Sequence, residues 1–347
     1  MKKIIYLTIL LLFSVQLPIL AQQETCASNL KRAEKLFDEG KLDEMHQALS
    51  DCMRSGFNKE QKIRAYELII QAYLADENSL EAERRMMKLL RMEPTFSVDK
   101  KVLSAEFINL FEQLRATPVF SIGIIAGPSL ARIMVSEQYG VHNLEKYSGK
   151  YSSKTGFSAG LLTQFYLSQN LLIDAEFSFV QNKYRYSLEG AIPQVNTGYV
   201  ETQNRIDVPL SLKYQYPMGL TSPFVQLGIA TGYVAQNTLI AERTYTDSLR
   251  LPVTGAAIDV RDKRNSMSMQ AFAGIGCSYR IKRSSVFASL RYSAGLLPYV
   301  ASSAHSGDDA FTYRYFIIDD AIKMHNAAFI VGYTFSFYKL NKINESL

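Results

Sequence analysis

The residues that could do chemistry are few and scattered. Four histidines occur, His46, His142, His305 and His325, and none has a second ligand at metal-binding spacing. No Cys-x-x-Cys, His-Glu-x-x-His or phosphate-cradling glycine loop is present. His305 stands beside Ser302, Ser303, Ser306, Asp308 and Asp309, the residue types of an activated hydroxyl with its base and acid. Those types are also what long polar loops contain. Gly307-Asp308-Asp309 and the run Asp259 to Asp262 lack the ligand spacing and closing Glu of a calcium loop. No catalytic, cofactor-binding or metal-ligating residue is therefore assigned, and the chain reads as a non-enzyme without a cofactor. Tyr139, Tyr147 and Tyr151, interleaved with Lys146, Lys150 and Lys154, make a loop surface that could meet a glycan or a protein.

The elements around these residues fall into three stretches. Met1-Lys2-Lys3 followed by the apolar run Ile4 to Val15 has the pattern of a secretory signal, with cleavage expected after Ala21. Losing Lys2 and Lys3 lowers the formal charge from +5 to +3, too little to indicate a nucleic-acid partner. No later apolar run reaches the length of a membrane helix, so any membrane crossing must use strands.

Residues 22–116 read as helices, with apolar residues three and four apart and breaks at Gly40 and at Asp76 to Ser79. Cys26 and Cys52 fall at opposite ends of a helical hairpin in an oxidising compartment, so a disulfide between them is expected, with two free thiols as the alternative. Cys277, in a strand pattern, serves as a small apolar residue. Tyr73, Ala82 and Pro94 resemble the aromatic, small residue and terminating proline of a tetratricopeptide repeat.

At Thr117-Pro118 the apolar period changes to two, and eight alternating segments follow to about residue 340, leaving 341–347 as a tail. The joins alternate between long (135–153, 187–199, 238–265, 300–321) and short (168–170, 217–222, 282–284), as in outer-membrane barrels. The expected architecture is an all-β membrane barrel of about eight antiparallel strands preceded by a small all-α domain on the periplasmic side. A secreted β-sandwich is the competing architecture. Tyr184, Tyr186, Tyr216, Tyr279 and Tyr299 are expected in the interfacial girdles. Asp174, Glu176, Arg205, Asp207, Lys213, Arg280 and Arg291 share the polar face and are expected as ion pairs inside the barrel, because an unpaired buried charge is costly.

Pro118 to Gly127 at the helix-to-strand junction, and the aromatic ending Val331-Gly332-Tyr333-Thr334-Phe335-Ser336-Phe337, resemble the PorT-like outer-membrane barrels of Bacteroidota over about residues 118–340. That resemblance implies a structural or accessory role in secretion or surface export, with a periplasmic or outer-membrane protein as partner and lipid around the barrel. A small channel or ligand-binding barrel, and a lipid-modifying enzyme centred on His305, are the alternatives.

Overall fold

A computed structural model describes residues 16–99, 103–139, 144, 148–246, 249–306 and 318–342. The signal run Ile4 to Val15, and with it His142, Lys146, Tyr147 and Gly307 to Asp309, lie outside the described residues. Two units divide the chain, residues 118–337 and the remainder.

In the first unit, polar and apolar residues alternate because successive side chains of a strand point to opposite faces. The strands are β1 (Leu114–Glu137), β2 (Lys150–Tyr166), β3 (Leu171–Ile192), β4 (Val195–Gln215), β5 (Thr221–Tyr245), β6 (Val253–Asp259), β7 (Met267–Ile281), β8 (Ser284–Gly295) and β9 (Ala321–Lys342). Eight of them close an antiparallel ring, β1-β2-β3-β4-β5-β7-β8-β9, with β4 paired to β5 and β9 to β1. At the β1–β9 seam a Cβ on Gly127 would stand 1.8 Å from the Phe329 carbonyl oxygen, so only glycine lets those backbones approach.

Burial decides between barrel and sandwich. On β4 the apolar row Ile206, Val208, Leu210, Leu212 and Tyr214 is 38, 51, 50, 49 and 51% exposed, while Arg205, Asp207 and Lys213 are 2, 4 and 3% exposed. A soluble sandwich buries the opposite face. The inversion, on a closed ring without edges, is that of a barrel whose surroundings are lipid.

Two joins differ from the sequence expectation. The supposed long join at 187–199 is mostly strand, since β3 and β4 stay paired from Leu188↔Thr197 to Ile192↔Val195 and turn at Gln194, φ 62°. The join at 238–265 contains β6, which pairs with the outer part of β5. Alternation continues past the lipid-facing rows in both places, so strand and loop composition cannot be told apart there.

The second unit contains α1 (Gln16–Asp38), α2 (Leu42–Arg54), α3 (Lys59–Ala75), α4 (Ser79–Met92) and α5 (Ala105–Gln113). Local chemistry sets their ends. Gly40 takes a left-handed φ of 74°, letting Lys41 N–H reach the Leu36 carbonyl and close α1. Asn58 and Gln61 form a reciprocal capping box at α3, and the Asn78 side chain accepts from Glu81 N–H at α4.

Met45, Leu49, Phe57, Leu68 and Ile69 make one core with Cys26 and Cys52, whose sulfurs are 1.99 Å apart in a disulfide. Ile70, Met86, Leu89, Leu90, Phe107 and Leu114 make a second core, joined by Leu340 from the end of the chain. His46 lies against the Tyr73 ring, centroids 4.9 Å apart. Burial, then the nearby Arg85, lowers its pKa below the usual histidine value.

Replacing Cys26 and Cys52 by Ser is expected to destabilise the helical unit by about 2–4 kcal/mol. Amide exchange of the full chain should show faster exchange in α1 and α2 with no change in the barrel strands.

Candidate functional site

Strand parity directs the polar face into the ring, and what it builds there is the only chemically dense region among the described residues. Within the lipid-facing zone, Arg291 forks onto Glu176 at 2.5 and 2.9 Å, and its guanidinium lies over Phe272 at 4.6 Å. Arg205 Nε lies 2.6 Å from Asp207 Oδ1. The Gln270 amide, assigned with its oxygen toward Arg205, accepts from Nη1 at 2.7 Å and Nη2 at 2.9 Å. Asn326 donates to Asn182 at 2.9 Å, and Asn182 to Gln203 at 3.3 Å.

Three residues of the expected ion-pair set behave otherwise. Asp174 accepts from Gln164 Nε2 at 3.0 and 3.2 Å rather than from a cation. Lys213 places its ammonium 3.9 Å above the Phe224 ring, a cation–π contact that a buried lysine can use in place of a carboxylate. Arg280 is exposed and donates to the Gly219 carbonyl at 2.9 Å. It sits where β7 leaves the ring, and its reach takes the head to a turn.

Among the described residues two small spaces lie inside the ring, about 40 Å³ among Glu176, Arg205, Asp207 and Ser178, and about 20 Å³ beside Gln270 and Tyr299. One water occupies roughly 30 Å³ of liquid. The lumen is a packed polar core.

A second layer seals the end of the ring away from the termini. Outward apolar residues stop at Phe179 on β3 and Ile206 on β4, and beyond them the outer face carries Gln181, Lys183, Asn204 and Thr202. The inward face there holds Tyr184, Tyr186, Tyr199 and Glu201, all buried. Arg264, from the segment between β6 and β7, projects into this group and is itself buried.

Arg264 Nε and Nη2 donate to Glu201 at 2.8 and 2.7 Å, and Nη1 and Nη2 to Asp319 at 2.7 and 3.3 Å. Its remaining Nη1 proton goes to the Lys263 carbonyl at 3.3 Å, so the whole donor fork is used. Tyr184 and Tyr299 donate to Glu201 at 2.6 and 2.5 Å, and Tyr199 to Asp319 at 3.4 Å. Burial, then the Glu201 carboxylate, pushes the Tyr184 and Tyr299 hydroxyls well above 10. Burial, then the neighbouring Tyr184, does the same to Tyr199. These groups are hydrogen-bond donors at every physiological pH.

The expected girdle therefore splits. Tyr216 and Tyr279 face outward, but Tyr184, Tyr186 and Tyr299 are inside. Tyr184 and Tyr186 share the parity of Asp174 and Glu176, and Tyr199 and Glu201 that of Arg205 and Asp207, so their inward direction was readable. Arg264 and Asp319 lie in loops and carried no such signal.

The other candidates do not converge on one centre. His305 stacks on Tyr139 at 4.4 Å and its Nδ1 donates to the Asp319 carbonyl at 2.7 Å. Tyr151 turns inward and donates to Asp320 at 2.8 Å, whereas Lys150 and Lys154 are exposed, so the Tyr–Lys loop surface is not one patch. Asp259 accepts from Arg261 N–H at 2.9 Å as a local turn. His325 faces outward with Nδ1 2.8 Å from the Tyr292 hydroxyl. Among the described residues no three His, Cys, Asp or Glu groups gather to hold a metal.

Arg264→Ala strands two buried carboxylates and is expected to cost about 3–5 kcal/mol, enough to open this layer. Tyrosinate absorbance in an alkaline titration checks it. In the native protein Tyr184, Tyr199 and Tyr299 stay neutral past pH ~10, where exposed tyrosines ionise. With folded pKa values raised, their contribution to stability is complete below the unfolded value and declines as pH rises beyond it. In the variant all three are expected to titrate with the exposed set.

No curated protein matches the chain in sequence. Among solved structures, Neisserial surface protein A is 12% identical, covering 64% of this chain and 99% of its own, with a TM-score of 0.33. The attachment invasion locus protein Ail of Yersinia pestis is 13% identical over 64% of this chain and 100% of its own, TM-score 0.28. OprG of Pseudomonas aeruginosa is 11% identical over 63% and 97%, TM-score 0.32. A family model described as outer membrane protein beta-barrel domain matches residues 111–299, more than half of the chain. By that match the chain, an eight-stranded ring with lipid-facing apolar rows and a filled polar interior, belongs to the outer-membrane β-barrel domain family.

Proposed function

We propose that this protein is a non-enzymatic structural or accessory barrel of the outer membrane, and that its helical unit stands in the periplasm and docks another envelope protein. The observation that carries the reading is the filled lumen. Among the described residues the spaces found inside the ring are about 40 and 20 Å³, too small for a solute, which supports a role carried by surfaces. The helical unit offers such a surface, with its own cores and a disulfide that holds α1 to α2.

Its α4 presents Arg84, Lys88 and Arg91 at helical spacing on the exposed side, and of these only Arg84 is paired, with Glu81 at 2.6 Å. A basic ridge of this kind suits an acidic partner surface. The resemblance of Tyr73, Ala82 and Pro94 to a tetratricopeptide unit favours protein contact, and the resemblance to PorT-like barrels of Bacteroidota points toward a secretion or surface-export assembly.

Photo-crosslinkers at Lys88 and Arg91 in intact cells test this. One envelope protein should be captured in stoichiometric yield, and lost when residues 24–115 are deleted while the barrel still inserts. Recovery of the barrel alone from both positions would refute the docking role.

A further inference from the structure

The outer wall of the ring is not evenly covered. A hollow of about 880 Å³ lies across β1, β2, β5, β7, β8 and β9, with Ala273 and Ala327 on its floor and Leu130, Leu227, Leu290 and Phe329 along its sides. It lies within the lipid-facing rows, where the material available to fill it is hydrocarbon.

At the end of this hollow away from the chain termini stands a group of cations. Arg132 follows Leu130 on the same outward face of β1, and Lys154 adjoins Thr155, another lining residue. Lys154 is in register with Lys183 of β3, and Leu130 with Thr155, so these cations stand at nearly one level. Lys323 of β9 and Arg132 both act electrostatically on His325, which lies two residues from Ala327. Among the described residues Arg132, Lys154, Lys183 and Lys323 have no carboxylate within ion-pair distance, whereas Arg185 beside them is held by Glu242 at 2.6 Å.

The β4–β5 pair, farther round the ring, lacks this feature. At that level β4 and β5 present Thr202 against Thr238 and Asn204 against Gln236. Lys323, Arg132 and Lys154 stand on strands that line the hollow, and Lys183 stands on β3 beside them.

We propose that this face binds a phosphoglycolipid, with acyl chains in the hollow and two phosphates of one headgroup on Lys323, Arg132, Lys154 and Lys183. The spread of charge selects the two-phosphate headgroup. Four adjacent strands, each about 4.8 Å from the next, put the outer cations roughly 15 Å apart, wider than a single phosphate spans. Cations just beyond the apolar rows are also at the depth where lipid phosphates lie.

The test is native mass spectrometry of the full-length protein released from nanodiscs, with diphosphorylated lipid A, monophosphorylated lipid A and phosphatidylglycerol as probes. Diphosphorylated lipid A should be retained best and phosphatidylglycerol least. Each basic residue at an anionic lipid surface contributes roughly fivefold, so R132A/K154A/K323A should weaken retention on the order of a hundredfold. Filling the floor with A273L/A327L should weaken it with the cations intact. Both sets alter outward side chains, and heat-dependent gel migration verifies that the barrel remains folded. Equal retention of phosphatidylglycerol by the native protein, or unchanged retention in either variant, overturns the proposal.

Discussion

Charge removed from water must find a partner, and inside a ring of eight strands the partners can come only from the ring and from the segments folded into it. This constraint organises the barrel. Glu176 meets Arg291 across the lumen, Arg205 meets Asp207 and Gln270, and Arg264 joins Glu201 to Asp319. Glu176–Arg291, Arg205–Gln270 and the Arg264 links tie segments distant in sequence, and the alternation that brings the strand residues inward is the same one that sends Leu, Ile, Val and Phe out to lipid. Paired charge inside and apolar rows outside are therefore one pattern read on two faces.

The Arg264 layer shows how a loop can become part of a core. Val260 N–H donates to the Asn237 carbonyl, Asn265 N–H to the Tyr299 carbonyl and Ala301 N–H to the Lys263 carbonyl, so the backbone around Arg264 is fixed before its side chain is counted. Tyrosines suit this place because each adds a broad apolar body to the seal and a hydroxyl to the carboxylates. A barrel closed in this way spends its sequence on a rigid frame, and its variable chemistry is left to the outer wall, the loop tips and the helical unit.

Much of the frame was legible in the sequence. Period-two alternation from Pro118 onward, the inward set Asp174, Glu176, Arg205, Asp207 and Arg291, and the helix breaks at Gly40 and Asn78 all have a local cause, either side-chain parity or turn chemistry. Strand ends were not legible beyond the lipid-facing rows. There water or a folded loop can satisfy either face, and Tyr186 or Tyr199 reads equally well as girdle, loop or core. Arg264 and Asp319 were invisible for a different reason: their roles depend on long-range chain return, which no local period encodes. For Lys213 and Arg280 the alternation gives only a face, and face does not specify whether a cation meets a carboxylate, an aromatic ring or a turn carbonyl.

Whether paired charge seals the interior can be read by planar-bilayer recording of the purified full-length protein. The barrel should be insulating, with no unitary steps above the bare membrane at either polarity. Stable, reproducible conductance steps from the native protein would contradict it, because they require a continuous aqueous path through residues that are packed against one another.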